Sequence, residues 1–401
     1  MAENILVNVV LVAVCIVFFL SFARPASASD EAIAEWVEKN KEPMFKDWLE
    51  VVVIPGKSRL EQQRGEWVLK KFNEIGLENV AMDSAGNVSG TMKGNPGKET
   101  VVITGHMDSV FALDTPLNPE IKDGWLHCPG SGDDIPAVVG LLWLKKGLDA
   151  LGMTPAVNLI FLATVQEEVG LKGMKHYLAN TDKKPDMVIA VDGQLGTVTA
   201  GALGIEWHKV YANTPAGHTL HSLGKPSATK SLALAITEAY KFQVEQEPTI
   251  YLNLGVLGGG TTENAICQEA WITLDMRSQN IEALATLKKN VFSAMEKAIT
   301  ESGGTFRSEA ITEISAGQLP DAAKHKVVQT ALGIVNDLGF KDVEVIYTGA
   351  TDGNVAISAG IPAVSVGMTI SEHPHSVTES ADIESFYTGA KQLLMLVERL
   401  K

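Results

Sequence analysis

Short apolar runs rich in β-branched residues recur along the chain at 101–105, 157–165, 187–191, 343–347 and 363–367. Stretches whose apolar residues fall at helical spacing separate them, so the pattern predicts strands alternating with helices. Runs that are apolar throughout suit strands buried on both faces, as in a mostly parallel central sheet with helices on both sides. Between 205 and 314 the order changes to strand, helix, strand, strand, helix, strand, with helices predicted near 227–242 and 281–301. That is the βαββαβ order of a ferredoxin-like α+β unit. Sheet-like strands ending in polar residues lie on both sides of it, so it is predicted to be an insertion. One discontinuous α/β domain would then comprise residues 29–200 and 315–401, with residues 201–314 inserted.

A chain of 401 residues exceeds one ordinary core, in keeping with two units. Residues 4–23 carry no charge and are followed by Arg24-Pro25-Ala26-Ser27-Ala28, a small-residue cleavage site, so residues 1–28 are predicted to be a signal peptide. The expected address is secreted or periplasmic. Glu3 and the lack of Lys or Arg before the apolar run leave a second reading open, an uncleaved N-terminal anchor that tethers the protein to a membrane. The net charge of −15 repels a phosphate backbone and offers nothing to anionic lipid. Nucleic acid is therefore excluded as a partner, and membrane contact is expected only through the N-terminal segment. Three cysteines, Cys15 among them in the leader, cannot build a disulfide framework; Cys128 and Cys267 read as buried free thiols.

The candidate chemistry sits where strands end, the place where ligands collect in open α/β sheets. The first run closes on His106-Met107-Asp108, a spacing in which one residue can ligate a metal while the other fixes the imidazole tautomer. A glycine-rich turn then presents Asp133 and Asp134 ahead of an apolar helix. One of the two reads as a helix N-cap, while the other can offer both carboxylate oxygens to two cations. The 157–165 run leads to Glu167 and Glu168, which point to opposite faces of an extended backbone. Ionised carboxylates after so apolar a strand need a cation if they are buried. A further run ends in Asp192, and the C-terminal part supplies Asp352, His373, His375 and Glu379. Asp352 reads as a cap for the helix that follows, and one of the two histidines reads as a surface residue.

In order and spacing these motifs resemble the di-zinc hydrolase family of peptidase T, aminoacylase and glutamate carboxypeptidase, over nearly all of the chain after the leader. The resemblance implies the zinc-exopeptidase fold with an inserted lid that dimerises. It implies five metal ligands: Asp133 bridging two ions, His106 and Asp192 completing one, and Glu168 and His375 the other. Glu167 matches the general base and Asp108 the residue that orients His106. Thr214-Pro215-Ala216-Gly217-His218 is similar to the motif whose histidine reaches the partner subunit's site. Asn264 matches a substrate-holding Asn, and Arg277 is either a carboxylate contact or a charge on a sheet face. Three carboxylates, two Zn²⁺ and a bridging hydroxide bring the centre to zero charge, a tolerable state for a partly buried cleft. Nitrogen and carboxylate ligands also admit Mn²⁺ or Co²⁺.

The expected protein is therefore a homodimeric metallopeptidase that hydrolyses an amide bond in small peptides, with Asp192 pointing to the aminopeptidase or tripeptidase type. Two alternatives stand beside it. A carboxypeptidase or N-acyl amino acid hydrolase would use the same centre with a different pocket, and a non-catalytic binding protein would keep only the scaffold.

Overall fold

The computed structural model describes residues 28–243 and 247–400. The predicted leader falls outside the described residues except for Ala28, which opens the first helix, Ala28–Lys39. Among the described residues no helix is long and apolar enough to cross a membrane.

Eight strands form the central sheet, in the order Glu78–Met82, Val88–Met92, Asn158–Thr164, Thr100–His106, Met187–Val191, Ala363–Val366, Val198–Thr199 and Val345–Ile346. Its middle is parallel, from Asn158–Thr164 across to Ala363–Val366. Antiparallel pairs join the strands at one margin and link Val198–Thr199 to Ala363–Val366. Successive residues of the central strands feed opposite cores, as a period of two requires. Val101, Ile103, Met187 and Ile189 pack into one cluster with the helices Ile135–Ala150 and Ile383–Arg399. Val102 and Val188 pack into the other with Leu171, Met174 and the Gly353–Ser358 helix. Apolar residues on both faces thus explain the uninterrupted runs. The 343–347 run differs, forming only the two-residue strand Val345–Ile346, because it lies at the sheet margin with a single neighbour, and Ile346 and Tyr347 face solvent.

Residues 204–314 build a second sheet, all antiparallel, in the order Ile250–Gly259, Glu269–Ser278, Gly204–Asn213, Thr305–Ile314. The helices Ala228–Ala239 and Ile281–Glu301 cover one face of it. Asn280 starts the longer helix by accepting the Ala283 N–H at 2.8 Å, and Leu284, Leu287, Val291, Met295 and Ile299 form its buried stripe. The chain enters and leaves this unit side by side: Ala202 and Gly317 exchange two backbone hydrogen bonds of 3.0 and 3.1 Å. Both described cysteines are free, but only Cys128 is buried. Cys267 is half-exposed, because it follows an exposed loop of the inserted sheet instead of sitting in its core.

Candidate metal centre

The Thr100–His106 strand delivers His106, 2% exposed, to the C-terminal edge of the sheet. Its Nδ1 lies 3.2 Å from the carbonyl oxygen of Asp108 and 3.5 Å from that residue's Oδ1, so the ring turns Nε2 outward. Nε2 stands 3.0 Å from Asp133 Oδ1. The other oxygen of Asp133 is 3.0 Å from Nε2 of His375, and that same nitrogen is 3.1 Å from Glu168 Oε1. One carboxylate therefore presents its two oxygens to two separate sets of groups. Ligand atoms of His106, Asp133 and Glu168 all lie within 4.8 Å of one another. Asp192 follows the fully buried Met187–Val191 strand, and its backbone N–H is tied to Val366 O at 2.9 Å.

The proton affinities express a strongly negative site. Burial pushes the carboxyls of Glu167 and Asp134 well up. Burial, with the neighbouring charges of Asp133, Asp352 and Glu168, takes Asp192 to about 7. Burial alone would lower His106, but the Asp108 and Asp133 carboxylates outweigh it and hold the imidazole well above its ordinary value. His375 is raised to about 10 by Asp133 and Glu168. Burial works against ionising Asp133, yet the two imidazoles hold it well below the usual carboxylate range. Protonated imidazoles on both sides of Asp133 thus mark the two places where this field accepts positive charge. The donors are nitrogens and carboxylate oxygens without thiolate, a set that fits two divalent ions.

Backbone donors lock each ligand segment to another. Asp108, fully buried, accepts Ser58 Oγ at 2.7 Å and the Glu167 and Glu168 N–H groups at 2.9 and 3.3 Å. Asp134 stands at the N-cap position of Ile135–Ala150 but makes no capping bond; its Oδ2 instead accepts the His106 N–H at 3.1 Å. Asp352 likewise does not cap its helix. Its Oδ2 accepts the Thr164 and Thr104 hydroxyls at 2.6 and 3.2 Å, joining two parallel strands below the site. The expectation of caps fails at both positions because a buried strand end offers each carboxylate closer donors. Gln194 binds Ser371 through both ends of its amide, at 2.8 and 2.9 Å. The wholly buried Arg64 donates to the carbonyls of Ile54 and Met107 at 2.8 and 2.7 Å. Gln194 and Arg64 carry no motif in the sequence.

The remaining residues lie elsewhere. His373 is exposed, and its carbonyl accepts the Ser376 N–H at 3.1 Å. His218 sits in an exposed turn of the inserted unit, where its Nδ1 accepts the Leu220 N–H at 3.3 Å. Asn264 lies beside it, its carbonyl accepting the Thr219 N–H at 3.1 Å. Among the described residues neither touches the ligands of its own chain. Arg277 is engaged by Asp275 through bonds of 2.9 to 3.1 Å on one strand face.

A mostly parallel sheet whose strand ends gather acids around two imidazoles, with an antiparallel insertion, defines a metal-dependent hydrolase. The profile of Peptidase family M20/M25/M40 matches residues 102–399, and the chain belongs to that family. The protein is accordingly a metallopeptidase, and its family comprises dinuclear metal enzymes. Its sequence is 25% identical to the uncharacterized protein YqjE of Bacillus subtilis over 90% of this chain and 98% of that protein. It is 24% identical to the cytosol non-specific dipeptidase of Escherichia coli, over 67% of this chain and 60% of that one. The fold is similar to a tripeptidase from Staphylococcus aureus, with TM-score 0.77, 24% identity and coverage of 90% and 98% of the two chains. The aminopeptidase PepT of Bacillus cereus gives 0.74 at 23% identity over 90% and 98%.

If the two imidazoles ligate they must lose a proton, so divalent ions would compete with protons at this centre. With His106 and His375 protonated in the metal-free chain at neutral pH and Asp192 raised to about 7, metal uptake at pH 7 is expected to release at least two protons. Affinity should fall as the pH falls. Calorimetry in buffers of different ionisation enthalpy counts the protons; a heat independent of buffer contradicts the assignment.

Proposed function

We propose that this metallopeptidase is a two-ion exopeptidase of the aminopeptidase or tripeptidase type, acting on small peptides. The observation that carries the reading is the Asp133 carboxylate, with one oxygen 3.0 Å from His106 and the other 3.0 Å from His375. His106, Asp133 and Asp192 would hold one ion, and Asp133, Glu168 and His375 the other. Zn²⁺ is the expected metal, with Mn²⁺ or Co²⁺ compatible with the same donors. When bound, such ions supply Lewis acidity that polarises a carbonyl and acidifies water near neutral pH.

The chain's own residues then do the proton work. Glu167 is 7% exposed, and its backbone is pinned by Asp108, which leaves its carboxylate to take a proton from water and hand it to the leaving amine. Asp108 keeps His106 in the tautomer that directs Nε2 at the centre. His218 and Asn264 occupy the inserted unit and touch no ligand of their own chain among the described residues, which supports their use in the site of a second copy. In that homodimer His218 would stabilise the developing oxyanion and Asn264 would hold substrate. Arg277 has no part in this reading, because Asp275 already binds its guanidinium. The uncharged 4–23 run supports export or N-terminal tethering.

Similarity to a tripeptidase and to PepT supports the aminopeptidase side. The alternative is an N-acyl amino acid hydrolase or carboxypeptidase. It is favoured by 26% identity to acetylornithine deacetylase of Yersinia pestis over 52% of this chain and 57% of that protein.

Turnover of di- and tripeptides with free and with acylated amines, in metal-loaded protein, decides between them. Cleavage confined to the free amines is expected, and preference for the acylated series overturns the aminopeptidase reading. Glu167→Gln should retain both ions by metal analysis while kcat falls by about 10²- to 10⁴-fold; a loss of only a few-fold removes Glu167 as the base. Mixing His218→Ala protomers with Glu167→Gln protomers should restore activity, since one site of each mixed dimer holds both native residues. Failure to recover in verified mixed dimers contradicts a shared site.

A further inference from the structure

The turn that carries Asp133 is held by a side chain with no part in the reaction outlined above. Glu379 is 1% exposed. Its Oε2 accepts the Gly130 N–H at 2.8 Å, and its Oε1 accepts the Gly132 and Asp133 N–H groups at 2.7 and 2.9 Å. Three convergent backbone donors make an anion nest, here filled by the chain's own carboxylate. The fit depends on Gly132: a Cβ there would stand 2.4 Å from Ser371 Cβ and 3.2 Å from Glu379 Oε1. Glu379 also closes the Ser376–Glu379 turn that follows directly on His375, its own N–H donating to Ser376 O at 3.0 Å. The Cys128 N–H donates to Glu379 O at 3.1 Å, so backbone and side chain grip the same turn.

We propose that Glu379 is a positioning residue: by filling the nest of the Gly130-Ser131-Gly132-Asp133 turn, it fixes the Asp133 carboxylate relative to His375. This rests on the two-ion reading of the site. Glu379 does not ligate; both of its oxygens are committed to the backbone. Its action lies in the distance between two ligands that come from segments far apart in sequence. A neutral amide is a poor replacement, since its NH₂ end would meet the N–H of Gly130 or those of Gly132 and Asp133, donor against donor. On the solvent side a cavity of about 400 Å³ is lined by His127, Cys128, Pro129, Thr378 and Glu379, so a small solute can reach the nest once the side chain is shortened.

The test is Co²⁺ titration of the wild type, Glu379→Ala and Glu379→Gln, read by visible absorbance and with peptidase activity at saturating metal, without and with formate. Glu379→Ala is expected to bind Co²⁺ about 10- to 100-fold more weakly, as loss of a partner that orients ligands does. Formate, entering the vacated nest, should restore much of that affinity and activity while leaving the wild type unchanged. Glu379→Gln should bind Co²⁺ several-fold more weakly and resist rescue, because its side chain still fills the nest. It also serves if the alanine variant does not fold. Unaltered Co²⁺ affinity in either folded variant overturns the inference, as does a weakened alanine variant that formate leaves unrescued. A wild type that takes up no divalent ion overturns the two-ion reading itself, and this inference with it.

Discussion

The dominant constraint on this molecule is a surplus of carboxylate at the edge of its central sheet. Asp108, Asp134, Glu167, Asp352 and Glu379 are all buried there, and Asp133, Glu168 and Asp192 lie among them. The cationic groups within the same region are His106, His375 and Arg64. So much negative charge cannot be withdrawn from water without compensation. In the metal-free chain, protons supply part of it, and for that reason Glu167, Asp134 and Asp192 shift upward together with both histidines. Divalent ions would satisfy the same demand more fully, and His106, Asp133 and Glu168 bring ligand atoms within 4.8 Å of one another.

The acids divide into two kinds by what they face. Asp108, Asp134 and Glu379 point at backbone N–H groups and connect strand end to strand end. Asp133 and Glu168 instead point at the His375 imidazole across the space those connections define. Rigidity of the first set is what gives the second its geometry, since each ligand otherwise sits on a separate loop. A carboxyl group offers two acceptor oxygens on a short side chain, so it can take N–H groups from neighbouring segments and is suited to this fastening role.

Much of the fold was legible because its signals are local. Uninterrupted apolar runs announced the parallel strands, and the stripe from Leu284 to Ile299 announced the long helix of the insertion. Only the marginal 343–347 run was overstated, since a strand with one neighbour needs little ladder. In the site, side chains that end strands stood out as acids and imidazoles against an apolar background. Those that act on the backbone of a distant segment did not. Gln194 reaches Ser371, and Arg64 reaches Met107, through contacts between segments that no spacing encodes. One of Asp133 and Asp134, and also Asp352, read as caps because position in sequence reveals the nearest helix, whereas Asp134 and Asp352 bond instead to groups at buried strand ends. Arg277 pairs with Asp275 on the same strand face, a contact between two charges that the sequence does not reveal.

The paired neck at Ala202 and Gly317 gives the architecture a modular character. Since the incoming and outgoing segments are already hydrogen-bonded neighbours, the insertion joins the central sheet's unit through a single paired neck. Lineages can therefore enlarge, trim or exchange that appendage without disturbing the strand ends, just as domain insertions succeed where chain ends meet.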